Sequence, residues 1–230
     1  MGKMFADCKK NPYYRDYGYR YDSAAVSNIS RPEYQYIEQW IENGAKVLDL
    51  GCGDGSLGAV LIKNKNCDVQ GLEISEDGVA MALNKGVHAV AHDIDLGLPY
   101  EDDHFDYVVI NVTIQMVYRP GFVLQEALRV GKRVIVSFPN FAHWYSRLQL
   151  ACLGVFPNYL LYGYQWYNTR HIHLFSYKDF LKFIKYLGVI VLKRKYLGIN
   201  SESYSILSNI WPNLFSKLVI VMIEQGRRKT

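Results

Sequence analysis

The 230-residue sequence has no apolar run of the ~18 residues that a membrane-spanning helix needs. It has no Cys-x-x-Cys pair either. Cys8, Cys52, Cys67 and Cys152 are widely spaced, which argues against a zinc ribbon or a disulfide framework and predicts reduced, buried thiols in a cytoplasmic protein. No apolar stretch of signal-peptide type follows the lysines of the first ten residues, and Ala6 breaks the myristoylation pattern that Gly2 begins. Charge imbalance is also missing: 26 Lys+Arg against 22 Asp+Glu leave a net +4, with no concentrated basic face of the kind that nucleic-acid binding requires. Charged side chains are absent altogether between Arg147 and Arg170. Half of the residues are apolar, so the chain is not of the disordered class and can bury one substantial core.

What the sequence has in excess is tyrosine, 19 against 10 Phe and 4 Trp. Seven lie between Tyr13 and Tyr36 and four between Tyr159 and Tyr167. A tyrosine packs like a hydrocarbon ring yet needs a polar partner for its hydroxyl, so such clusters predict half-wet surfaces. Residues 1–32 read as an irregular tyrosine-rich arm. Residues 33–230 read as a single domain with an aromatic cap inserted at about 139–174, and the arm and cap are expected to meet over one edge of the sheet.

From Ala45 onward, short β-branched runs alternate with helix-length amphipathic stretches, which demands an α/β fold with a mostly parallel sheet and helices on both faces. Strands are predicted at 46–50, 69–73, 88–92, 106–112, 132–138, 189–196 and 218–224, seven in all. Helices are predicted from Pro32 to Gly44, at 56–64, 75–84 and 120–130, and after Ser176, where Ser176 and Asp179 have capping-box spacing. The aromatic cap carries no such rhythm.

The sharpest signal is Val47-Leu48-Asp49-Leu50-Gly51-Cys52-Gly53-Asp54-Gly55, an apolar strand entering a glycine-rich turn that opens a helix. Glycines there let a ligand touch the backbone, and the helix start offers free N–H groups. A dinucleotide fingerprint needs glycine at the sixth position from Gly51, where Ser56 stands, and Asp49 and Asp54 would repel a pyrophosphate. A ligand with a cationic portion fits better. Glu73 ends the second strand, placed to accept from both hydroxyls of a ribose.

These residues resemble the class I methyltransferases that use S-adenosylmethionine and have a Rossmann-like, seven-stranded fold. The resemblance implies that Asp49, Gly51, Cys52 and Gly53 line the methionine portion of the cofactor. It places Glu73 on the ribose, Ile74 under the adenine, Asp93 and Ile94 at the adenine amino group, and Asn111 at the amino-acid end. S-adenosylhomocysteine is then the product. Phe105-Asp106-Tyr107-Val108-Val109, Ser137-Phe138-Pro139-Asn140-Phe141-Ala142-His143-Trp144, Arg147-Leu148-Gln149-Leu150 and Trp166-Tyr167-Asn168-Thr169 are similar to one branch, the methionine-biosynthesis protein W (MetW) family. That likeness implies association with a homoserine O-acyltransferase. The arm before Arg31 is longer than usual in that family, and Ala142 stands where glycine is usual.

Methyl transfer needs an in-line nucleophile and exclusion of water more than it needs a side-chain nucleophile. His143, just after the fifth strand, is the candidate base for a small or medium O- or N-acceptor; the other reading is a loop histidine bonded to backbone. Asn140, Trp144, Tyr164, Trp166, Tyr167 and His171 are candidate acceptor contacts, or parts of a packed cap. His171-Ile172-His173 lacks the acid or cysteine that would complete a metal site. No Asn/Asp-Pro-Pro-Tyr/Phe motif follows the fourth strand, so no nucleic-acid substrate is expected.

Overall fold

The computed structural model describes residues 31–157, 166, 169–198 and 206–226. The tyrosine-rich arm, Tyr164 and Tyr167 lie outside the described residues. Helix α1 (Glu33–Trp40) precedes β1 (Lys46–Leu50), α2 (Ser56–Lys65), β2 (Asp68–Glu73), α3 (Glu76–Asn84) and β3 (His88–Ala91). Then come β4 (Phe105–Asn111), α4 (Pro120–Val130), β5 (Gly131–Pro139), the short α5 (Trp144–Leu148), α6 (Tyr177–Tyr186), β6 (Val189–Leu197), α7 (Ile206–Ile210), α8 (Pro212–Phe215) and β7 (Leu218–Gln225). The strands form one sheet in the order β3-β2-β1-β4-β5-β7-β6. The first five strands are parallel, and β7 runs antiparallel to both β5 and β6. This is the α/β, mostly parallel arrangement that the alternation of elements predicts, and the Rossmann-like, seven-stranded fold that the resemblance implies.

Residues alternate between the two faces along each strand, so the sheet is buried on both sides. Val47 and Tyr107 pack with Ile37, Leu57 and Leu61 of α1 and α2. Leu48, Leu50 and Phe138 pack with Leu124, Phe180 and Ile184 of α4 and α6. Ser176 and Asp179 form a complete capping box at the start of α6. Helix α1 stops at Trp40, short of the predicted Gly44, which sits instead in the turn before β1 with φ +72°.

Two features depart from the sequence reading. The cap contains α5 followed by a π-helical turn at Gln149–Leu153. Two short helices, α7 and α8, lie between β6 and β7, where no periodicity predicts them. Asn140 fixes both additions to the sheet. Its Oδ1 accepts from the amides of Ala142 and Tyr177, and its Nδ2 donates to the carbonyls of Pro212, Asn213 and Ser216. Strand order reverses between β2 and β4 around β1, so the crevice outside the carboxyl end of β1 is where this architecture places ligands.

Candidate functional site

The glycine loop is built by backbone demands that other residues would not meet. Gly51 has φ +74°, and an added Cβ would lie 2.6 Å from Thr113 Cγ2. The loop after β4 therefore rests directly on the glycine loop. Cys52 turns its side chain back over the sheet: a Cβ on Gly71 would come within 2.5 Å of its Sγ. Only the Cys52 backbone is offered to a ligand, and burial, reinforced by Asp49 and Glu73, raises the thiol pKa. That thiol is no nucleophile.

Glu73 braces the loop. One carboxylate oxygen accepts from Gly53 N at 2.9 Å and the other from Ser75 N at 3.0 Å, which leaves a lone pair on each for further donors. Burial raises its pKa against the pull of those amides. Asp49 is 2% exposed, and its Oδ1 has no hydrogen-bond partner. Burial first, then the charges of Glu73 and Asp54, push its pKa up to about 7. A buried carboxylate crowded by two others lacks only a cation.

The same edge receives three residues that the sequence reading did not single out. Glu33 of α1 is 2% exposed and accepts from Asn111 Nδ2 at 3.5 Å, while Arg31 lies 3.5 Å from the Glu33 carboxylate. Tyr34 is half-buried, and its hydroxyl feels the charges of Arg31, Asp49 and Glu33; removal of that hydroxyl from water dominates and raises its pKa. One signal was available: Glu33 falls four residues before Ile37 and eight before Ile41, on the helix's apolar stripe. Asn111 also accepts from Ser137 Oγ at 2.5 Å, which in turn receives the Val112 amide.

Asp93 caps the 3-10 turn Ile94–Leu96 through Asp95 N, and the buried Asp95 carboxylate accepts from the amides of Tyr118 and Arg119. Ile74 is half-buried beside Glu73, whereas Ile94 is 7% exposed within the core cluster. Asp49, Gly51, Gly53, Glu73 and Asn111 thus meet at the carboxyl edge, with Asp93 at its far side.

The acceptor half differs from expectation. His143 has no exposed surface and caps α5: its Nδ1 accepts from Tyr145 N at 3.3 Å. Burial, with Lys217 nearby, lowers its pKa to about 4. A ring nitrogen so engaged and so weakly basic suits a helix cap more than a general base. Asn140 spends its amide on backbone groups, as described above, and so braces this edge of the sheet. His171 bonds Thr169 Oγ1 at 2.8 Å, packs edge-on against Phe141, and burial lowers its pKa to about 4. Trp144 and Trp166 are 38% and 70% exposed, so neither walls an enclosed pocket from the core side. Among the described residues no group of three His, Cys, Asp or Glu is placed to hold a metal. No helix of these residues is long and apolar enough to cross a membrane.

The fold is similar to those of solved proteins with different activities. An S-adenosylmethionine-dependent methyltransferase from Archaeoglobus fulgidus superposes with a TM-score of 0.61 at 17% identity, covering 96% of this chain and 99% of that one. The [4+2]-cyclase SpnF superposes with a TM-score of 0.60 at 14% identity over 84% of this chain and 80% of that one. At such identities the likeness concerns fold alone. Among curated proteins, the bifunctional methionine biosynthesis protein MetXA/MetW of Rhodopirellula baltica is 28% identical over 84% of this chain and 32% of its own length. The ribosomal protein L11 methyltransferase of Laribacter hongkongensis is 32% identical over 49% of this chain and 40% of its length. The chain thus spans about a third of the length of these relatives. The family described as methionine biosynthesis protein MetW matches residues 31–223, from the start of α1 almost to the end of β7, and with that match the chain belongs to the MetW family.

Proposed function

We propose that this chain binds S-adenosylmethionine at the carboxyl edge of β1 and β2 and transfers its methyl group to a small or medium-sized acceptor at oxygen or nitrogen. The observation that carries this reading is Asp49, whose buried Oδ1 has no partner and whose pKa is pushed up to about 7 by burial first and then by the charges of Glu73 and Asp54. The α-ammonium of the cofactor is the complement to that atom. Gly51 and Gly53 give the methionine portion access to backbone, Glu73 takes the ribose hydroxyls on its remaining lone pairs, and Asp93 and Ile74 bound the adenine. When bound, the cofactor supplies an electrophilic methyl on a sulfonium. The protein's own part is then to orient, to exclude water and to leave the attacking lone pair unobstructed. Binding of S-adenosylhomocysteine, measured by calorimetry, tests the reading. A micromolar Kd that Glu73→Ala weakens at least tenfold supports the assignment, and undiminished binding in that variant overturns it.

A second reading is favoured by the Rhodopirellula relative, named for both MetXA and MetW in one chain. In it the present chain is a partner of a homoserine O-acyltransferase in methionine biosynthesis and uses the same fold without transferring methyl. Exposed Leu148, Leu150, Leu153, Val155 and Phe156, in a stretch free of charge, suit an apolar contact. Mixing the two purified proteins distinguishes the readings: a complex and a change in acyl-transfer rate favour the partner role, and no association at micromolar concentration counts against it.

A further inference from the structure

The loop that follows β4 carries a strained residue and an unanswered hydrogen-bond acceptor within four positions. Val112 has φ +53°, a conformation that a β-branched side chain adopts only under strain, and such strain concentrates at functional sites. Three bonds hold it there. Its amide donates to the backbone carbonyl and to the Oγ of Ser137, and its carbonyl accepts from Gln115 Nε2 at 2.8 Å. Because that partner is a carbonyl, the nitrogen end of the Gln115 amide must face it, and the orientation of the side chain follows from chemistry. The Gln115 backbone carbonyl is occupied as well, by the amides of Ile172 and His173 at 2.9 and 3.0 Å.

One group remains. Gln115 has no exposed surface, yet its Oε1 has no partner. On the adjoining segment, His173 Nε2 is likewise buried and unpartnered. Each such atom has lost its water and destabilises the fold unless something binds it. Their position is telling, because Thr113, two residues before Gln115, is the residue against which Gly51 packs. The loop that carries Gln115 therefore adjoins the glycine loop through Thr113.

We propose that Gln115 Oε1, with His173 Nε2 on the segment bonded to the Gln115 backbone, is the recognition point for the methyl acceptor, and that the acceptor presents its own N–H or O–H to that oxygen. This rests on the methyltransferase reading above and narrows it. A carbonyl oxygen cannot donate, so it selects an uncharged amine, amide, azole or hydroxyl and repels a carboxylate, whose oxygens have no proton to offer. Pinning the proton to Gln115 points the heteroatom's lone pair elsewhere, free for in-line attack. That lone pair forms the new C–N or C–O bond while the sulfur keeps the electrons of the breaking S–C bond. The proton stays on the cationic product at Gln115 and passes to bulk water when the product leaves the site. Gln115 is not itself the base, which agrees with a site where His143 is a helix cap.

The test uses the whole chain saturated with S-adenosylhomocysteine at pH 8 and three probes, phenol, imidazole and benzoate, titrated by ligand-observed NMR. Phenol and imidazole are expected to bind, and benzoate at least tenfold more weakly. Gln115→Met, which keeps the side-chain length, is expected to weaken phenol and imidazole about tenfold while leaving S-adenosylhomocysteine affinity unchanged. His173→Phe is expected to weaken them about threefold and carries the test if Gln115→Met loses the folded site. Benzoate binding as tight as phenol, no binding of any probe, or unaltered probe binding in the folded variants overturns the proposal. Failure of the wild-type chain to bind S-adenosylhomocysteine overturns the methyltransferase reading beneath it.

Discussion

Asp49 shows how much of a site can rest on one side chain. In the free protein its carboxyl stands near pKa 7 because burial and two neighbouring carboxylates disfavour its charge. A cation bound against it reverses that balance. Ligand binding should therefore expel a proton below about pH 7, and the affinity for S-adenosylhomocysteine should fall as pH drops through 7, approaching tenfold per unit. Calorimetry between pH 5.5 and 8.5 would show it. Asp49→Asn is expected to bind at least tenfold more weakly at pH 8 and with little pH dependence. A parallel slope in the variant would remove Asp49 from the cation's partners. Gly51 makes a second residue-scale prediction. Alanine there adds a Cβ at 2.6 Å from Thr113 in a left-handed backbone, so Gly51→Ala should lower stability by about 1–3 kcal/mol in urea unfolding and weaken cofactor binding.

Between elements, the most informative residue is Asn140. It sits where β5 ends and joins that strand to the start of α6 and to α8 through five backbone contacts. Its placement after the sheet, next to an aromatic stretch, reads in sequence as a substrate contact. Nothing in Asn140 and its neighbours distinguishes a residue that faces a ligand from one that faces carbonyls 72 to 76 positions away. Asn140→Ala should cost about 3 kcal/mol, since several buried backbone groups lose their partners. Its signature is a lowered urea midpoint with S-adenosylhomocysteine affinity retained; loss of binding at undiminished stability would restore the ligand role. Helix α1 is the converse case. Periodicity located it, but that Glu33 and Tyr34 close over Asp49 and Asn111 depends on how the helix crosses the sheet.

Across the whole molecule, two sets of buried groups oppose one another. Asp49 and Glu73 have raised pKa values, so protonation favours the fold and their contribution is lost as pH rises through the folded-state value, about 7 for Asp49. His143 and His171, with pKa values lowered to about 4, act in the other sense: their contribution is present above the usual histidine value and is lost as pH falls towards 4. In the free wild-type protein these effects offset each other between pH 4 and 7. Asp49→Asn leaves only Glu73 on one side, so its melting temperature should fall more steeply from pH 7 to pH 5 than the wild type's. Equal slopes in differential scanning calorimetry would contradict this balance. The parallel strands, their crossover helices, the glycine loop and the acid ending β2 are legible in the sequence by itself, because each follows from local periodicity and short-range spacing. Tertiary structure alone decided that His143 caps a helix, that Asn140 braces α6 and α8, and that Gln115 keeps a buried oxygen without a partner. Those outcomes depend on which distant backbone groups a side chain meets, and only the folded chain determines that.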